Sequence, residues 1–184
     1  DAGDQKISLG EFDYNTNWQR YSADTYYNST FGYVTISGSA ATLNKKYDGY
    51  FRPSMYAENP ATIDASAVTN SMTIYGDGRA NLIRASKGGS YIWSGKGNDT
   101  IYGGDGTDQI YYWSNGGNDT IYNYKSGDYI QMRRVDEDDE TTFENFSVSG
   151  NDVIINFTNG STITLKDAGD QKISLGEFDY NTNW

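Results

Sequence analysis

Four aspartates stand two residues before an isoleucine at near-regular intervals: Asp99, Asp108, Asp119 and Asp128 precede Ile101, Ile110, Ile121 and Ile130. The same position in the two preceding intervals holds Asn81 and Ser90. Each aspartate ends a short polar stretch (SGKGND, GGDGTD, SNGGND, NYKSGD) of turn-forming composition. Glycines placed where the chain needs φ > 0 or close backbone approach leave main-chain carbonyls pointing into the gap between neighbouring turns. Carbonyls and carboxylates without nitrogen or sulfur donors form a hard oxygen set. Such a set suits Ca²⁺, which takes roughly six to eight oxygens. One Gly-Asn-Asp match would mean an ordinary turn; the argument rests on four in register.

Composition excludes most other chemistry. The 184 residues contain no His and no Cys. That removes Ser-His-Asp triads, H-E-x-x-H zinc sites and most general acid–base catalysis near neutral pH, together with thiolate nucleophiles, zinc ribbons and disulfides. There is no G-x-S-x-G elbow either, so the expectation is a chain without enzymatic activity. With 25 acidic against 14 basic side chains the formal charge is −11, which argues against a nucleic-acid surface and for cations as partners. No apolar run approaches the roughly 18 residues of a membrane-spanning helix.

The elements that must position these aspartates follow from a second regularity. Ile74, Ile83, Ile92, Ile101, Ile110, Ile121 and Ile130 are separated by 9, 9, 9, 9, 11 and 9 residues. Each lies in a short apolar stretch after a Gly- and Asp-rich turn. A nine-residue unit of strand plus turn makes half a coil, so two units return the chain above itself and stack strands in parallel about 4.8 Å apart. All the isoleucines then face inward, and successive turns alternate between two edges. Asp99 is expected to stack with Asp119 on one edge and Asp108 with Asp128 on the other, each pair sharing an ion. The site should fade toward Asn81 and Ser90, and the two-residue insertion before Asn115 should distort one loop.

The units at 94–102, 103–111 and 114–122 resemble the G-G-x-G-x-D-x-U-x nonapeptide of calcium-binding RTX proteins. The resemblance covers roughly residues 61–166 and is strongest at 94–130. It implies an all-β fold, a parallel β-roll (a calcium-binding solenoid) over 71–132, flanked by antiparallel β-strand caps at 19–70 and 133–184. It also implies that the carbonyls of Gly95, Gly97, Gly104 and Gly106 join the aspartates as ligands, with Asn98 and Thr107 flanking, and that two to four Ca²⁺ ions are bound. The implied function is a calcium-binding structural repeat module of a large bacterial adhesin or matrix protein, extracellular or on the cell surface, that folds and stiffens on Ca²⁺ after export. Two alternatives use the same scaffold: a carbohydrate-binding module, or the repeat region of a secreted hydrolase or toxin.

Residues 1–18, DAGDQKISLGEFDYNTNW, recur unchanged at 167–184. The simplest account is a tandem array of near-identical units, in which each unit has identical neighbours as partners. The KISLGEF segment either completes the preceding unit as a last strand or opens the next, and both readings stay open. The aromatic residues Tyr26, Tyr27, Tyr33, Tyr47, Tyr50, Trp93, Tyr111, Tyr112, Trp113 and Tyr122 are expected to pack on pleated surfaces, a sugar-ring platform being the alternative. The acidic run VDEDDE at 135–140 is expected to be a solvated loop rather than a further cation site.

Overall fold

The computed structural model describes residues 33–179. The first copy of the duplicated segment, Tyr26 and Tyr27 lie outside the described residues, as do the last five residues of the second copy. Two sheets face one another. The larger has the order β1 (Val34–Ser37), β2 (Ala40–Leu43), β4 (Thr62–Asp64), β6 (Leu82–Arg84), β8 (Thr100–Tyr102), β10 (Asn118–Tyr122), β14 (Thr162–Leu165), β13 (Asp152–Phe157) and β12 (Phe143–Ser149). The smaller runs β15 (Leu175–Asp179), β11 (Tyr129–Arg133), β9 (Gln109–Trp113), β7 (Ser90–Gly95), β5 (Met72–Asp77) and β3 (Tyr50–Phe51). One 3₁₀ turn, Pro53–Met55, is the sole helical element among the described residues.

From β4 to β11 the chain alternates strictly between the sheets, which is the coil expected from nine-residue units. Ile83 pairs with Ile101 and Ile101 with Ile121 on one side. On the other, Ile74, Ile92, Ile110 and Ile130 pair in succession. All seven isoleucines are at most 2 % exposed. Each one fully buried in such a ladder contributes about 1.5–3 kcal/mol relative to exposure. The eleven-residue interval is absorbed locally: Gly116 N–H donates to the Trp113 carbonyl at 2.7 Å, and the register of β10 on β8 is kept.

Parallel pairing extends beyond 71–132. It begins with β2 on β4 and β3 on β5, and continues through β14 on β10 and β15 on β11. Antiparallel strands flank this ladder: β1 on β2 at one end, β12 and β13 reaching β14 at the other. Strand β14 therefore belongs to roll and cap together. The second copy of the duplicated segment supplies β15, Ile130 pairing with Leu175, so KISLGEF at 172–178 completes the unit that precedes it. Leu175 continues the isoleucine column, which is the physical reason for this placement.

Candidate metal centre

Each turn hands one carboxylate to the turn before it. On the first edge Asp99 Oδ1 accepts the Asn81 N–H at 2.8 Å, and Asp119 Oδ1 accepts the Asp99 N–H at 2.9 Å. On the second, Asp108 accepts the Ser90 N–H at 2.8 Å and Asp128 the Asp108 N–H at 2.9 Å. Asp99 thus stacks with Asp119 and Asp108 with Asp128. All four side chains are at most 2 % exposed. The parallel ladder fixes this arrangement, because an Asp two residues before an inward Ile also faces inward.

Burial raises three of these acids, Asp99, Asp108 and Asp119. Asp99 is pushed up to about 8 by burial and then by Asp119. Burial takes Asp119 to about 7 and Asp108 to about 6, the latter opposed by the Gly104 N–H and Lys125. A cation in the gap would reverse the preference by favouring the charged form.

Glycine is required where the turns touch. A Cβ on Gly95 would lie 2.0 Å from the Asp77 carbonyl oxygen, and one on Gly104 2.0 Å from that of Ser86. Gly97 and Gly106 lie equally against backbone, with nearest atoms at 2.6 and 2.4 Å. Gly95 and Gly97 also have φ of +98° and +108°. Asn98 and Thr107 are exposed. The Asn98 side chain accepts the Asn118 N–H at 2.9 Å, tying two turns of the first edge together on their outer side.

The two edges differ in how the remaining oxygens are satisfied. Asp99 Oδ2 is buried without a hydrogen-bond partner among the described residues, and Asp119 Oδ2 takes a single long bond from Ser94 Oγ at 3.2 Å. Asp108 Oδ2 instead accepts the Gly104 N–H at 2.8 Å. Asp128 is engaged by Lys125, whose Nζ also lies 2.9 Å from the Gly104 oxygen and 2.7 Å from the Gly106 oxygen. Toward the amino side, the Ser90 turn closes on its own hydroxyls: Ser86 Oγ donates to the Gly89 oxygen at 2.8 Å and lies 3.2 Å from Ser90 Oγ. Asn81 Oδ1 likewise accepts the Asp77 N–H at 2.8 Å.

Among the described residues no three His, Cys, Asp or Glu side chains converge, so any metal held here must take much of its shell from carbonyls. The Asp99–Asp119 edge fits Ca²⁺: it offers an orphaned carboxylate oxygen, a second carboxylate above it, and glycine turns at Gly95 and Gly97. A surface cavity of ≈ 540 Å³ lined by Asp77, Gly95, Lys96, Trp113 and others opens on this edge.

Sequence reasoning missed Ser94, Lys125 and Asp139. Lys125 was visible only as the third residue of NYKSGD. Asp139, within the acidic run, accepts from Ser114 Oγ; burial pushes its carboxyl up, but bonds from Ser114, Thr141 and Val135 outweigh this and hold it at about 2. The neighbouring Asp136, Glu137 and Asp138 are exposed.

Residues 75–110 match the family model for the RTX calcium-binding nonapeptide repeat, in four copies. The match includes Asp99 and Asp108 and stops short of Asp119 and Asp128. No curated protein is similar to the chain at a significant level.

Proposed function

We propose, from a chain that carries RTX calcium-binding nonapeptide repeats wound into a parallel β-roll, that it is a calcium-dependent structural module of a secreted or surface-attached bacterial protein. The observation that carries this is the Asp99 carboxylate: buried, stacked under Asp119, and left with one oxygen that has no hydrogen-bond partner among the described residues. When bound, Ca²⁺ supplies the positive charge that lets the stacked carboxylates ionise in the dry gap. Asp99 and Asp119 provide carboxylate oxygens, Gly95 and Gly97 hold the turn close enough for carbonyls to complete the shell, and the Ile ladder keeps the turns in register. Metal binding is then coupled to folding and stabilises the roll. At affinities of roughly 10⁻⁴–10⁻³ M, millimolar calcium adds on the order of 1 kcal/mol per ion.

The module acts mechanically rather than catalytically. A chain without His or Cys stays loose in a low-calcium cytosol, is exported, and stiffens outside. Support for a tandem array comes from the duplicated segment. Its second copy closes the smaller sheet of this unit, and an identical strand would close the unit before it. The glycan alternative is less favoured by the geometry: the Trp93 and Tyr111 rings stack on each other at 3.8 Å and 1°, and Arg52 covers Tyr75 at 3.6 Å, so these ring faces are turned to neighbours rather than to a sugar.

Circular dichroism and thermal melting, with calcium and after chelation, test the proposal. The expected result is a large loss of β-structure or a melting temperature lower by about 10 °C or more without metal. Identical spectra and melts in the two states would overturn it.

A further inference from the structure

We propose that Lys125 is a resident cation: its ammonium takes the ion position between the turns 103–108 and 123–128, so this gap is closed to calcium and the roll loads metal on the Asp99–Asp119 edge. The inference rests on the calcium reading above and refines where the metal goes.

The environment of the ammonium is the donor set expected of a calcium site. Lys125 Nζ lies 2.9 Å from the Gly104 oxygen, 2.7 Å from the Gly106 oxygen and 3.1 Å from Asp128 Oδ1. Two carbonyls and a carboxylate match the three N–H donors of an ammonium, with no nitrogen or apolar atom standing in for any of them. The backbone N–H of the same residue donates to Asp128 Oδ2 at 3.0 Å, so one residue engages both oxygens of that carboxylate. No comparable arrangement is given by the other lysines at the third position of their turns: Lys87 and Lys96 are exposed.

The local sequence explains why this lysine folds back onto the neighbouring turn, its side chain remaining 37 % exposed. Tyr124 stands where the turn 103–108 has Gly104. Its buried ring anchors the turn, its hydroxyl donating to the Asp128 main-chain carbonyl at 3.0 Å and accepting the Ser174 N–H at 3.0 Å. Outside it the 166–172 segment is fastened on: Ser126 N–H donates to Gln171 Oε1 at 2.9 Å, and the Lys172 N–H donates to Ser126 Oγ at 3.0 Å. The gap it fills lies one turn inside the segment that leads to β15, and a tethered ammonium fills it at any calcium concentration. The carboxy-terminal end of the roll is thereby preassembled, and calcium completes the rest.

Amine labelling read by mass spectrometry tests the placement on the wild-type chain. Lys125 should acylate at least about ten-fold more slowly than Lys96, in calcium and after chelation alike. Equal rates, or a Lys125 that becomes reactive when calcium is added, would overturn the proposal. Equilibrium dialysis provides the count. Lys125→Met should bind one more calcium per chain than wild type, whereas Lys96→Met should match wild type; an unchanged count for a folded Lys125→Met overturns the proposal. Should that variant not fold, an anomalous map of terbium-soaked wild-type crystals decides: a peak among Gly104, Gly106 and Asp128 overturns it, and peaks confined to the Asp99–Asp119 edge support it. Absence of any metal binding would instead remove the calcium reading, while the labelling rates still report where the ammonium sits.

Discussion

The backbone N–H of Asp99 donates to Asp119 Oδ1 at 2.9 Å, while Asp99's own second carboxylate oxygen is buried without a hydrogen-bond partner among the described residues. The ladder holds Asp99 by one oxygen and leaves the gap on this edge to be neutralised by something else. Without a cation the two carboxylates repel and favour protonation.

Asp99→Asn separates the two consequences. The amide keeps an oxygen for the Asn81 N–H, but removes the buried charge. The metal-free protein should melt a few degrees higher than wild type, while calcium affinity on that edge falls at least about ten-fold. Calorimetric titration and paired melts check this; equal destabilisation with and without metal would count against the assignment.

The pH response has a definite sign. Asp99, Asp119 and Asp108 are raised to about 8, 7 and 6 in the metal-free fold. Between the unfolded carboxyl range near 4 and these values the folded state binds more protons, so metal-free stability falls as pH rises. The melting temperature of calcium-free protein should drop by roughly 10 °C from pH 5 to pH 8. The stabilisation given by saturating calcium should grow over the same interval, because protons and metal compete for the same oxygens. A calcium-free melting temperature that rises with pH would contradict the buried, cation-poor stack.

Turn contact and backbone conformation are separable at two glycines. Gly104 lies outside the left-handed region, yet a Cβ there meets the Ser86 oxygen at 2.0 Å. Gly127 has φ of +111° with open space around the Cβ position. Gly104→Ala should destabilise by at least about 2 kcal/mol through the forced separation of turns, and Gly127→Ala by roughly 1 kcal/mol through conformation alone. Chemical denaturation in calcium compares them directly.

Strand β12 is exposed along its whole length, with Phe146 at 47 % and Val148 at 68 %. An apolar edge strand invites pairing with another chain. Val148→Lys should leave stability within about 0.5 kcal/mol and reduce self-association measured by sedimentation at high protein concentration.

Much of this architecture was legible in the one-dimensional pattern. The isoleucine interval set the coil, since a period of nine with one inward residue per strand has few other ways to bury its apolar face, and Ile74 to Ile130 all reached the interior. The Asp two places earlier was carried inward by the same alternation, so the stacking partners followed from counting. The insertion near Asn115 left the stack intact, because a surface turn can lengthen without shifting the ladder beneath it.

What the chain determined alone was therefore the repeat, the hard-oxygen chemistry and the pairing of turns, all local consequences of spacing. Tertiary structure decided which gaps are free: Lys125 folds back onto Gly104, Gly106 and Asp128, serine hydroxyls close the Ser90 turn, and KISLGEF docks as β15 on β11. The lysine and the docked strand depend on parts meeting across about 20 or more residues of sequence, and the serine closure on side-chain directions that spacing does not set. A long flexible side chain such as lysine has no direction until the oxygens around it are in place.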